Sequence, residues 1–240
     1  MQNIEDPATD RCQNKKVYFL VIDYIKTLIQ NKTVSFGEKL PSERQMMATL
    51  GLSRNSIREA LRSLENMGVI ESRHGQGNFL VNHIGQSLGS IFSLLLFMDE
   101  CSYLEIIQLR RSIETSACLL AAAQATDQDI RTLASAFHAM EQGNLQERTI
   151  LDKKFHDTLI GISGNRLLKL FNETLSQLFE STIHEIRMHV SDKDWKKILD
   201  CHAKIYQGLA ARDAQAAMDA VMKHYDLTDV YYLKLNMKSS

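Results

Sequence analysis

The 240-residue chain holds only two prolines, Pro7 and Pro41, so no helix or strand beyond residue 41 is interrupted by one. Its four cysteines, Cys12, Cys101, Cys118 and Cys201, fall in no CxxC or other paired spacing. That argues against a disulfide framework and for free thiols in a reducing compartment. No long apolar run is present: the most apolar stretch, Ile91 to Met98 (IFSLLLFM), is far short of the roughly 20 residues that a bilayer-crossing helix needs. The N-terminal MQNIEDPATDRC lacks the basic start and apolar core of a secretory signal. Charge of one sign is also lacking, since 28 Lys/Arg stand against 29 Asp/Glu. The chain as a whole therefore advertises neither a polyanion partner nor an acidic tail. No low-complexity tract and no internal repeat occurs. A cytoplasmic protein without membrane association is expected, and at 44% hydrophobic residues it is long enough for two ordinary cores.

What is present changes texture near Asn82. Up to that residue the elements read as short and mixed, with 11 Lys/Arg against 9 Asp/Glu; beyond it the helical period dominates, with 17 against 20. The sign of this small asymmetry favours a DNA-facing first part. Val17 to Gln30 reads as an amphipathic helix. Ser42, with Gln45 three residues on, forms a capping box for a helix of about nine residues that Gly51 ends. Ser53 caps the next helix, whose core face is Ile57, Ala60, Leu61 and Leu64, and Gly68 stops it. Two short helices joined by so tight a turn form a helix-turn-helix, whose second helix can enter a major groove.

The outward face of that second helix carries Arg54, Asn55, Arg58 and Arg62. Arginine can bond guanine in two-pronged fashion and asparagine adenine, although a solvated basic face would look the same. The stretch that follows bears on the choice. Gly68 to Ser72 and Asn78 to Asn82 read as strands joined by RHGQG, a β-hairpin or wing with Arg73 and His74 at its tip. Gly75 and Gly77 permit positive φ and let the backbone approach a phosphate closely.

The run from Leu40 to Val81 closely resembles the winged helix-turn-helix of the GntR family of bacterial transcription regulators. Its landmarks are LPSER at 40–44, SRNSIREAL at 53–61, GVI at 68–70 and GQGNF at 75–79. The resemblance implies that Arg44, Arg54 and Arg58 contact DNA, that His74 and Gly75 reach the minor groove, and that Asn55 and Ser56 add accessory contacts. Farther on, IIQLRRSIETSACLLAAAQAT (106–126) and LDKKFHDTLIGISGNRLL (151–168) resemble the effector domain of the FadR-like (FCD) branch. A mainly α protein is thus expected: a winged helix-turn-helix over 1–82, a connecting segment over 83–102, and an FCD-type all-helical bundle of about seven helices ending at 240. A helix from about Gln86 to Met98 would pack the DNA domain against the bundle.

Asp152 and His156, four residues apart, project from one face of a helix. His202 aligns with Ile198, Ile205 and Leu209, and His224 with Ala217 and Val221, so both point into a core. Three histidines and one carboxylate could hold Zn²⁺, or Ni²⁺ or Mn²⁺. Each histidine taken alone also fits a satisfied core residue, but all four positions match the metal-bearing pattern of the FCD domain. His83, His138, His184 and His189 have no such match and read as surface or structural residues. Arg110 lies on the inward face of Ile106, Ile113 and Ala117, where it could clamp a small carboxylate effector or pair with Glu114 at i,i+4. The resemblance favours the effector, a hydroxy, keto or sugar acid. Asn165 reads as the N-cap of the next helix. An Asp/His₃ metal could also activate water, but no general base or nucleophile elbow accompanies it. The reading is a ligand-controlled homodimeric repressor on a near-palindromic operator, not an enzyme.

Overall fold

A computed structural model describes residues 7–236, with side chains for 17–234. The side chain of Cys12 and the first residues of the N-terminal segment lie outside that range; Cys101, Cys118 and Cys201 are free thiols. The chain divides into two compact units, between Leu88 and Gly89.

The first unit begins with α1 (Pro7–Gln30), which starts well before the expected Val17. α2 (Glu43–Leu50) follows, then α3 (Arg54–Asn66). Ser42 and Gln45 form the capping box of α2, and Gly51 closes it in the left-handed conformation at φ 66°. Ser53 caps α3 by accepting from the Ser56 N–H. On α3 the buried residues are Ile57, Ala60, Leu61 and Leu64, so helical spacing alone turns its arginines outward. Gly68, at φ 72°, turns the chain into the hairpin. A Cβ there would stand 2.6 Å from the backbone carbonyl carbon and oxygen of His83, which only glycine allows.

Strands β1 (Ile70–Arg73) and β2 (Gly77–Leu80) pair antiparallel with Ile70 opposite Leu80 and Arg73 opposite Gly77. The hairpin sits a residue or two away from the expected strand limits, because the Gly68 turn and the backbone bonds of Val69 and Val81 take up the ends. The segment before α2 runs beside β2: Gly37 donates to the Leu80 carbonyl, Leu80 to Glu38, and Leu40 to Asn78. Leu40, Met46, Ile57, Leu61, Ile70 and Leu80 fuse helices and hairpin into one core with Val21 and Ile25 of α1.

Helix α4 (Ile84–Phe97) spans the division. The second unit is then built from α5 (Tyr103–Gln124), α6 (Asp127–Gln142), α7 (Arg148–Ile162), α8 (Arg166–His189), α9 (Asp192–Ala210) and α10 (Ala214–Asn236). Ser102 with Glu105 and Thr126 with Asp129 form capping boxes, and the Asn165 side chain accepts from the Leu167 and Leu168 N–H groups. α5 is the central helix, touching α7, α8, α9 and α10. Its apolar stripe, Ile106, Ile113, Ala117 and Ala121, packs with Phe155, Leu159, Ile198, Ile205 and Val221 from the helices around it. With α4 the helices after the hairpin number seven among the described residues. None of the described helices is long and apolar enough to cross a membrane.

Candidate DNA-reading surface and metal centre

Packing of the α3 stripe leaves Arg54, Asn55 and Arg58 exposed, with Ser56 partly covered because its hydroxyl stands 2.9 Å from that of Ser53. Arg44 of α2 is exposed on the same unit, and His74 and Gly75 form the exposed tip of the wing. Gly75 has φ 70° and Gly77 φ 105°, so both use the left-handed region that the turn requires. Arg73 does not reach outward freely: it bonds Glu71 and lies 4.1 Å over the Phe79 ring. A cleft of about 580 Å³ runs between wing and helices, lined by Lys39, Glu43, Arg58, His74 and Gln76 among others.

Glu43, in the first turn of α2, was not singled out by the sequence. Its two oxygens lie 3.6 Å from Arg54 Nε and 3.8 Å from Arg58 Nε, so one carboxylate faces both arginines of the recognition helix. Its first helical position was the only local signal.

In the second unit Asp152, His156, His202 and His224, from α7, α9 and α10, converge with one donor atom each, all within 4.8 Å of one another. All four are at least 96% buried, whereas the other five histidines are exposed. His202 Nε2 stands 3.2 Å from His156 Nε2 and 3.3 Å from Asp152 Oδ1. Two donors about 2.0–2.1 Å from one zinc at a tetrahedral angle stand roughly 3.4 Å apart, so these separations suit a single ion.

The far sides of the rings fix the tautomers. His202 Nδ1 donates to the Ile198 carbonyl at 2.8 Å, and His156 Nδ1 is in ion-pair contact with Glu114 at 2.7 Å. An imidazole lone pair cannot rest against a carboxylate at that distance, so His156 carries a proton on Nδ1. Both Nε2 atoms then turn their lone pairs toward the same point, the arrangement a second-shell carboxylate or carbonyl imposes on metal-binding histidines. Glu114 is itself held by the Tyr225 hydroxyl at 2.6 Å, with Arg110 Nη2 3.9 Å away. The Arg110–Glu114 pair, the alternative to an effector contact at Arg110, is therefore present.

Protonation follows this layout. Burial alone would lower the His156 pKa, but the Glu114 carboxylate, joined by Asp152, outweighs it and holds the ring above its usual range. Burial prevails at His202 and lowers it; burial and two neighbouring imidazoles push His224 well below. Asp152 would rise through burial, but the Arg187 guanidinium, with the His156 ring beside it, holds it well below the usual carboxylate range.

Glu114 and Arg187 were missed as site residues. Glu114 lies on the apolar face of α5, and Arg187 on α8 follows Ile183 and Ile186 and precedes Val190. A charged residue in an apolar stripe was the available signal; their partners, His156 and Asp152, lie far away in sequence.

A winged helix-turn-helix followed by a helical unit with a buried polar centre defines the class of two-unit DNA-binding regulators. Residues 18–80 match the family described as bacterial regulatory proteins, gntR family, and residues 105–227 match the FCD domain; the chain belongs to the GntR family, in its FCD branch. It is a transcription regulator rather than an enzyme, and its second unit is of an effector-binding kind associated with metal binding. A protein of Escherichia coli (strain K12), provisionally named an L-lactate dehydrogenase operon regulatory protein, is 31% identical over 210 residues, covering 85% of this chain and 81% of its own. The HTH-type transcriptional regulator LutR of Bacillus subtilis (strain 168) is 29% identical, covering 85% of this chain and 94% of its own. Among solved structures, Streptococcus agalactiae GntR superposes with a TM-score of 0.64 at 25% identity, over 91% of this chain and 98% of that one.

Proposed function

We propose that this protein is a cytoplasmic homodimeric repressor whose hold on a near-palindromic operator is released by a small carboxylate bound at a zinc ion in the second unit. In this reading residues 1–82 read DNA, 103–240 sense the ligand, and 83–102 connect them. Arg44, Arg54 and Arg58 contact DNA, Asn55 and Ser56 assist, and His74 and Gly75 enter the minor groove. Asp152, His156, His202 and His224 hold the ion, and Arg110 steers the carboxylate.

The observation that carries the reading is the pair of Nε2 atoms 3.2 Å apart, each with its Nδ1 proton committed elsewhere. Zinc accepts nitrogen and oxygen ligands together, and nickel or manganese would suit the same set. When bound, the metal supplies positive charge and open positions that a carboxylate, with a neighbouring hydroxyl or keto oxygen, can fill. The name of the Escherichia coli relative makes L-lactate a first compound to try. Four protein donors and a second-unit location leave the DNA-reading face separate in sequence, so sensing and reading can be tested apart.

Two measurements test it. Fluorescence anisotropy on operator fragments selected from random duplexes should lose at least tenfold in affinity in Arg54→Ala and in Arg58→Ala; unchanged affinity in both overturns the DNA half. Atomic emission should show zinc lost from His156→Ala, His202→Ala and His224→Ala; zinc retained by all three overturns the sensing half.

A further inference from the structure

We infer that Arg187 is the cation that anchors the effector carboxylate on the Asp152 side of the metal centre. The inference rests on the metal-and-carboxylate reading above and adds the residue that makes the site anion-selective.

Arg187 is 98% buried near the end of α8. Its Nη2 bonds both oxygens of Asp152, at 3.2 and 3.1 Å. Its Nε and Nη1 are buried and have no hydrogen-bond partner. A guanidinium has five N–H donors, and a buried donor without an acceptor keeps its full desolvation cost, so such groups are rare unless something else completes them. The Trp195 ring, 5.9 Å from the guanidinium carbon, covers one side but offers no strong acceptor.

Charge makes the same demand. Around the four candidate ligands the buried charges are Asp152 and Glu114 against Arg110 and Arg187, which cancel. A divalent ion brought among neutral imidazoles leaves two positive charges in excess. Buried charge of one sign is costly until an anion joins it. Water or a neutral ligand would leave the excess in place; a carboxylate reduces it and accepts from the unpartnered N–H groups of Arg187.

The two arginines are not equivalent. Arg110 also has a buried Nε without a hydrogen-bond partner, but its Nη2 forms an ion pair with Glu114 at 3.9 Å, and that acid, already engaged by His156 and Tyr225, is outside the set of candidate metal ligands. Arg187 reaches its acid, Asp152, through Nη2 alone and keeps Nε and Nη1 for another acceptor. Asp152 is also the one carboxylate in the ligand set, so Arg187 touches the metal centre directly. An effector carboxylate seated there would lie against both the ion and the guanidinium.

The test is calorimetric titration of the zinc-saturated full-length protein with acetate, L-lactate, oxalate, malonate and citrate, with zinc content measured in every sample. Arg187→Lys keeps a positive charge near Asp152 but loses the planar fork. At full zinc occupancy it should bind whichever of these acids the parent protein binds at least tenfold more weakly. Binding equal to the parent overturns the anchor and leaves the metal-and-carboxylate reading standing. Failure of the parent protein to bind any of the five overturns both. Zinc lost from Arg187→Lys at saturating metal assigns Arg187 to holding Asp152 alone and also overturns the anchor. If circular dichroism shows that Arg187→Lys does not fold, Arg187→Gln, which retains donors to Asp152 without charge, takes its place under the same criteria.

Discussion

At the scale of single residues, Glu114 decides how well the centre can hold an ion. Its contact with His156 orients the ring and makes the opposite nitrogen more basic. Glu114→Gln should weaken zinc binding roughly 10–100-fold, because loss of a second-shell carboxylate has that order of effect. Competition with a chelating dye measures it. The same contact sets a pH dependence: Glu114 holds the His156 pKa above its usual range, and the proton that the ring takes up below that pKa would sit on Nε2, in the 3.2 Å gap to His202. Zinc must displace it, so apparent zinc affinity should fall by up to about tenfold per pH unit below the His156 pKa. In Glu114→Gln, with the raising carboxylate gone, this fall should begin at lower pH. These residues also mark where sequence reading stopped. Spacing placed Asp152 and His156 on one helix face and apolar neighbours turned His202 and His224 inward, but it was the resemblance to the FCD pattern that joined the four into one centre. Glu114 and Arg187 act through partners 42 and 35 residues away, which no local period encodes.

At the scale of elements, the helix-turn-helix was legible because its signals are local: Ser42 and Ser53 as caps, Gly51 as a left-handed stop, and one apolar stripe on α3. The start of α1 and the strand limits were less so, since pairing register and packing set them. Gly68 shows how tight the junction is. Gly68→Ala would place a methyl within 2.6 Å of the His83 backbone in a left-handed conformation, and should destabilise the first unit by roughly 2–4 kcal/mol in urea unfolding followed by circular dichroism. The Glu43 contacts lead to a prediction about specificity. An exposed ion pair is worth only about 0.2–1 kcal/mol, so DNA can exchange it easily. The same carboxylate repels phosphate, which penalises any duplex that does not offer the arginines better partners. Glu43→Gln should therefore tighten non-specific binding several-fold and steepen its salt dependence, while narrowing the ratio between operator and random DNA. Anisotropy titrations at several salt concentrations would show it, and a ratio left unchanged would count against this role for Glu43.

At the scale of the whole molecule, the two units offer separate readouts, since the sole tryptophan, Trp195, is buried in the second. Its fluorescence follows the unit that holds the candidate metal centre. A ligand bound only by the folded state stabilises it by about 2.7 kcal/mol at a hundredfold excess over Kd, which for a unit of this size raises the melting temperature by roughly 5–10 °C. Zinc should produce that shift in the tryptophan-monitored transition, and a chelator should reverse it. The metal-free protein should show a different dependence. His202 and His224 have lowered pKa values, so the stability tied to their neutral state is full above the ordinary histidine value near 6.5 and is lost as pH falls toward their own pKa values. His156 works in the opposite sense: its contribution is full below about 6.5 and is lost as pH rises through its raised pKa. Asp152, held low, adds stability that persists until the pH drops below about 3.8. With two histidines against one, the urea midpoint reported by Trp195 should fall between pH 7 and 5 without metal. His224→Gln, which removes the most strongly lowered of the three, should flatten that fall; a midpoint rising toward pH 5 in the metal-free parent would contradict the assigned protonation states.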